Sequence, residues 1–392
     1  MLTPYRDLLA TPGSRRFSGA AFVARMPIAM VNLGIVLLVV AENGSYGLAG
    51  AISATFALVN AGSAPAIARL IDRRGQRQIL APVTALYAAG LGLFVGLVTL
   101  GAPTWSLYLS AATAGLFGPS IGSLVRARWG HVLGQGPRLH TAYAFESVLD
   151  ELIFVVGPLI VTVLATRIVP AAGLLSAIVL VVVGTVALLS HRTSEPPAAV
   201  HDADHPSALR SPGLLILMAV MAFVGGVFGS VEISAVAFAD ESGRRVIAGP
   251  LLACYAGGSM LSGLAFGAVT WRVSARRRLT MGAAVMTATV TTLPWTDSAT
   301  VLAALLFLAG VGIAPTLISG FSLVERMVPT ASVTEGLTWA TTGLIVGFSA
   351  ATWLSGRLVD SATVTEAFLV APAFGLAALA VCGVIYRRLP EG

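Results

Sequence analysis

The chain has no lysine and only two cysteines, and charged residues make up just 11% of its 392 positions. Each scarcity excludes something. So few charges cannot clothe a soluble globule of this length. Cys254 and Cys382 fall in different apolar stretches, with no CxxC and no Cys/His cluster, so neither a disulfide framework nor a metal site is indicated. No GxxxxGK[ST] loop is present, which disfavours an ATP-driven pump. No nucleophile–base–acid set appears either, so the chain does not read as an enzyme and no cofactor is expected. The missing lysine itself reads as the codon usage of a GC-rich genome rather than as chemistry.

What the chain does have is apolar length. Hydrophobic residues make up 56% of it, and its mean hydropathy is +0.87. Runs of roughly 20 residues, enough to cross a hydrocarbon core of about 30 Å, fall at 18–41, 47–68, 79–100, 105–125, 142–165, 169–190, 213–239, 247–270, 279–296, 299–321, 334–356 and 366–386. They are rich in Leu, Ala, Val and Gly and show no alternating period, so they predict twelve transmembrane helices rather than barrel strands. The fold class expected is an all-α membrane protein.

All 24 basic residues are arginine. Nineteen fall in segments on one side of the predicted spans. Four, Arg167, Arg244, Arg245 and Arg357, fall on the other, and Arg25 lies inside a span. The positive-inside rule therefore puts both termini in the cytoplasm of a multi-pass protein, with a bacterial plasma membrane as the expected location. The same bias accounts for the sequence pI near 9.9, so no nucleic-acid partner is implied. Ser14-Arg15-Arg16-Phe17 could suggest a twin-arginine export signal, but the apolar run that follows is too long and lacks a clear cleavage site. Asn43-Gly44-Ser45 is a glycosylation sequon of the kind that arises by chance.

The chain repeats itself. A shift of 199 positions lays Glu42-Asn43-Gly44 over Glu241-Ser242-Gly243, Ala49-Gly50 over Ala248-Gly249, and Ser63 over Ser262. Two six-helix halves, 1–190 and 212–392, follow from this. The polar, Pro-containing stretch 191–211 is the cytoplasmic linker between them.

After the second span stands Ala68-Arg69-Leu70-Ile71-Asp72-Arg73-Arg74-Gly75-Gln76-Arg77-Gln78. Asp72, Arg73, Gly75 and Arg77 match the signature G-x-x-x-D-[RK]-x-G-x-[RK]-[RK], and the chain resembles the major facilitator superfamily in this loop and in its architecture. In the second half Gly267 and Arg272 remain, but Trp271 replaces the acid and Ser274 the later glycine. The resemblance implies transport of a small solute by alternating access, with Asp72, Arg73, Gly75 and Arg77 as a conformational latch. In the fifth span Gly157-Pro158 resembles part of the g-x-x-x-G-P-x-x-G-G pattern of the drug:proton antiporters in that superfamily, although Ile153, Val161 and Thr162 stand where it has glycine. The fourth span lacks the deep arginine of that group, and Arg126 and Arg128 read as cytoplasmic anchors.

A charge at mid-bilayer costs on the order of 2.5–3.5 kcal/mol, so intramembrane charges carry information. The fifth span holds Glu146, Asp150 and Glu151. Glu146 and Asp150 share one helix face, and Glu151 points about 100° away from Asp150. Arg25 lies about 10 Å into the first span, at the depth of Asp150 and Glu151, so an ion pair with one of these is the economical arrangement. Two readings stay open: the charges only neutralise one another, or one carboxylate lacks a full partner and exchanges a proton during the cycle. Asp150 is the first candidate and Glu151 the second, while Glu146, nearer the surface, is expected to be solvated.

Glu232 in the seventh span has no basic partner in its own half. The resemblance implies that this helix looks onto a central cavity, making Glu232 a substrate-cavity candidate with Asn32 and Asn60. Gly157, Pro158, Pro119 and Pro315 are the expected helix kinks, the last two 196 positions apart. The combined expectation is a monomeric, proton-coupled secondary exporter of a small molecule, its partners being substrate, protons and membrane lipid. An uncoupled or symport-type sugar or metabolite transporter and a non-transporting membrane sensor are the alternatives. Moving one charge through 100 mV releases about 2.3 kcal/mol, enough for roughly a fiftyfold gradient at about 1.36 kcal/mol per decade.

Overall fold

The structure, a computed structural model, describes residues 3–134, 137–197, 208–268, 271–328 and 333–388. Among them the regular structure is entirely helical. In chain order the helices are α1 (Thr3–Leu9), α2 (Ser14–Arg25), α3 (Val31–Asn43), α4 (Tyr46–Arg74), α5 (Gln76–Thr99), α6 (Thr104–Leu116), α7 (Ile121–Leu133), α8 (Pro137–Arg167) and α9 (Ala172–Ser190). They continue as α10 (Pro212–Glu241), α11 (Ala248–Ala268), α12 (Ala275–Val290), α13 (Ala299–Val311), α14 (Ile313–Met327), α15 (Val333–Ser361) and α16 (Val364–Arg388). Nine helices among the described residues are long and apolar enough to cross a membrane. The pair Ser14–Ala29 with Val31–Asn43, bent by 41°, makes a tenth if read as one span.

Every apolar run expected from the sequence coincides with helix, but three are interrupted. The first breaks into α2, a 3-10 turn Met26–Ala29 and α3, because Pro27 lacks the N–H that would continue the ladder. The fourth is split between α6 and α7, with Pro119 inside the break. The tenth is divided at Gly312, between α13 and α14, with Pro315 the third residue of α14. The ninth is carried by the 16 residues of α12, shorter than a full crossing needs.

The chain forms two compact units. The first comprises residues 1–38 with 59–202, the second 39–58 with 203–392. In the first, Phe17, Leu80, Val125, Trp129 and Leu188 belong to one buried apolar cluster, with Phe17 and Trp129 packed edge to face at 4.7 Å. In the second, α10 packs along α15 and α16. Its Gly225 and Gly229 lie against the carbonyls of Leu344 and Phe348, and Gly343 and Gly347 of α15 against those of Met218 and Ala222. Two interleaved small-xxx-small ridges of this kind bring backbones closer than any side chain allows.

One glycine pair related by the 199-residue shift shares a backbone conformation. Gly44 and Gly243, 199 apart, follow α3 and α10 with φ of 69° and 67°. At Gly75, a single residue with φ 89° and ψ 151° joins α4 to α5, a conformation that a Cβ would strain. Its counterpart Ser274 has ordinary extended angles and caps α12 instead, accepting from the Arg277 N–H at 3.5 Å. Loss of glycine in the second copy thus changed the turn chemistry.

Candidate functional site

The charges predicted inside the first unit converge on one cluster. Arg25 is the last residue of α2, immediately before the 3-10 break. Its guanidinium reaches α8, where it pairs with Glu146 and donates from Nη1 to Asp150 Oδ1 at 2.7 Å, while its Nε donates to the Ala21 carbonyl at 3.1 Å. Glu146 Oε1 accepts from the Ser18 hydroxyl at 2.6 Å and from Trp129 Nε1 at 2.7 Å. Asp150 uses its second oxygen for Arg126 Nη2 of α7, also at 2.7 Å. Two guanidinium groups and two carboxylates therefore balance, and Gly122 leaves room for both arginines where a Cβ would come within 3.3 Å of Arg126.

Three expectations need correction here. Glu146 is not solvated: its side chain is 0% exposed, because α8 starts at Pro137 and Glu146 already lies more than two turns inside the bundle. Arg126 is not a simple anchor, since it closes the cluster through Asp150. Arg128 is fully buried. It donates from Nε to Gln76 Oε1 at 2.8 Å and from Nη1 to the Leu188 carbonyl, the His191 carbonyl and the Ser194 hydroxyl at 2.9–3.0 Å.

Glu151 differs from its neighbours. It is half-buried and makes no ion pair or hydrogen bond among the described residues. Asp150, the first sequence candidate for an unpaired acid, holds two arginines instead.

The remaining predicted residues are dispersed. In the second unit, Glu232 sits on α10 with Oε1 buried and without a hydrogen-bond partner among the described residues. Asn32 is half-buried on α3. Asn60 donates to the Gly115 carbonyl at 3.1 Å and fills the space beside Gly118, so it satisfies the frayed end of α6. Gly157 of α8 lets that helix approach Ala29 and Met30 at the break of the first span, and a Cβ there would stand 2.8 Å from Ala29 Cβ; Pro158 is the next residue, inside α8. Of the signature loop, the Asp72 side chain lies outside the described residues, Arg73 is exposed, and the Arg77 N–H donates to Glu195 Oε1 at 2.9 Å. Sequence reading missed that contact: a linker carboxylate caps the N-terminus of α5, a favourable place for negative charge. The only sequence signal for it is an acid soon after the sixth span.

A family model described as Major Facilitator Superfamily matches residues 17–299. The sequence matches no curated protein. Among solved structures, the nucleoside transporter NupG, in a mutant form, superposes with a TM-score of 0.76 at 12% identity over 96% of this chain and 99% of that one. An auto-inhibited peptide transporter of the POT family gives 0.72 at 14% identity over 96% and 97%. The human organic anion transporter MFSD10 gives 0.66 at 14% over 95% and 100%.

Proposed function

The chain belongs to the major facilitator superfamily and is a multi-pass membrane transporter rather than an enzyme, and from that premise we propose that it is a proton-coupled exporter of a small organic solute. Glu151 carries the reading. It is the acid of the fifth span that neither arginine of the cluster neutralises, and it follows directly on Asp150, whose charge is already matched. A carboxylate in that position can take up and release a proton without breaking the network that holds α2, α7 and α8 together. Export is supported by Gly157-Pro158, where α8 meets the broken first span, the place a helix would have to flex. Solved transporters of similar fold carry peptides, nucleosides and organic anions, which fits a small organic cargo.

The working unit in this proposal is a monomer of two six-helix halves, 1–190 and 212–392, with both termini cytoplasmic. Arg73, Gly75 and Arg77, with Asp72, serve as the conformational latch, and Glu232 meets the cargo. Pro119 and Pro315 stand at the breaks that alternating access would use.

The test is proton flux in liposomes holding a trapped pH dye, with cationic dyes, antibiotics and sugars screened as cargo. Substrate-dependent proton movement that survives in the wild type and is lost in Glu151→Gln supports coupling. A second reading, an uncoupled facilitator, draws on the balance of Arg25 and Arg126 against Glu146 and Asp150, which lets all four be structural. It predicts solute movement without proton flux, unaltered in Glu151→Gln.

A further inference from the structure

The first unit contains a cavity that the transport reading does not use. It has a volume of about 890 Å³, within the range of pockets that hold small ligands, and lies on the arginine-rich side expected to face the cytoplasm. Its walls are the turn between α1 and α2, the first turn of α2, the end of α7 and the segment following α9. Arg15, Arg16, His131 and His191 line it, together with Thr193 and Ser194, and none of its lining residues among those described carries a carboxylate.

The positive charge there is unspent. Neither Arg15 nor Arg16 forms an ion pair among the described residues. Arg15 donates only its Nε, to the Leu9 carbonyl at 3.0 Å, which leaves both terminal nitrogens available. Gly13, with φ 81°, turns the chain so that the 12-residue helix α2 begins at the cavity wall, adding the positive end of its dipole. Behind this wall lie two buried donors that have no partner among the described residues. Ser14, between lining residues Gly13 and Arg15, is 0% exposed with an unbonded hydroxyl. Arg128, bonded to lining residue Ser194, keeps Nη2 buried and unbonded. Buried groups of this kind normally have a partner. Arg138 donates to Thr11 of the same turn at 2.9 Å and adds a further positive charge nearby.

We propose that this cavity binds a phosphate group, presented either by a lipid headgroup or by a free phosphate compound, through Arg15 and Arg16 with His131 and His191 at the mouth. A phosphate offers acceptor oxygens on several sides, matching donors carried by α2, α7, the α1–α2 turn and the segment following α9. Guanidinium groups suit it better than point charges because they can engage two oxygens at once.

The experiment measures thermal unfolding of the purified full chain in nanodiscs. One arm adds inorganic pyrophosphate to nanodiscs of phosphatidylcholine; the other replaces part of that lipid by phosphatidylglycerol. The expected result is stabilisation in at least one arm: a rise with pyrophosphate identifies a free phosphate, and a rise with phosphatidylglycerol alone identifies a headgroup. Arg15→Gln with Arg16→Gln should weaken apparent affinity by about tenfold or more. Arg69→Gln with Arg74→Gln, which removes equal charge from exposed positions elsewhere in the unit, should leave it unchanged. Should the first pair fail to fold, His131→Glu, an exposed substitution that puts a carboxylate at the mouth, is expected to abolish the effect. No stabilisation in either arm, or equal loss from both arginine pairs, overturns the proposal.

Discussion

Each unit carries a joint that holds helices together in lipid, and the two joints work by opposite means. In the first, α2, α7 and α8 are joined by charge: Arg25, Arg126, Glu146 and Asp150 meet in one network, completed by Ser18 and Trp129. In the second, α10 and α15 are joined by the absence of side chains, with glycines of each against carbonyls of the other. Lipid supplies no hydrophobic drive between apolar helices, so either polar contacts or close backbone packing must do it. The charged joint depends on matched charges. The glycine joint depends only on shape. A transporter that couples to protons would put its titrating group beside the former, which is where Glu151 stands.

The comparison can be broken most severely at Arg25. Arg25→Met leaves Glu146 fully buried without its cation, and about 3–5 kcal/mol of stability is expected to go. Arg25→Met combined with Glu146→Leu should recover much of that loss, since no buried charge is then orphaned. Unfolding midpoints of the two single variants and the double variant, read as a cycle, check this; additive losses would mean that the pair is not coupled.

The second unit should respond to added atoms rather than to lost charge. A Cβ at Gly225 would stand 1.8 Å from the Leu344 carbonyl oxygen, and one at Gly347 1.6 Å from that of Ala222. Either alanine substitution forces α10 and α15 apart, at about 3 kcal/mol, with a matching fall in monodisperse yield. Gly62→Ala in the first unit, where nothing lies within 4 Å, is the control and should be silent.

A smaller effect is expected at the α4–α5 turn. Gly75→Ala forces a side chain into a positive-φ conformation, and a loss of about 1–2 kcal/mol should appear in the same unfolding assay. The smallest change in stability, and the sharpest in function, belongs to Glu151→Gln. With no partner to lose, it should stay within about 0.5 kcal/mol of wild type while substrate-driven proton flux disappears. A large drop in stability from this change would show that Glu151 is structural.

Much of this was legible from hydropathy alone, because lipid demands helices and leaves the pattern little freedom. The 199-residue shift also paired Gly44 with Gly243, which share a positive φ. The sites of misreading have a common cause: an apolar run was taken to end where its helix does not. The fourth run stops at Val125, yet α7 continues to Leu133, and Ile121, Leu124, Val125, Arg128 and Trp129 are buried at helical spacing. That period was present in the sequence and would have put Arg128 indoors. Glu146 was misjudged at the start of α8 for the same reason. The break at Met26–Ala29 had its signal in Pro27. Which acid keeps an arginine was not legible, since Asp150 and Glu151 are adjacent and only the placement of Arg25 and Arg126 separates them.

The one-residue connection at Gly75 bears on how the chain is made. A 29-residue helix and a 24-residue helix joined by a single residue form a hairpin with no slack, so neither leg can settle in the bilayer at a depth independent of the other. Arg73, Arg74 and Arg77 crowd the bend and resist translocation. During synthesis, then, these two legs should enter the membrane as one paired step.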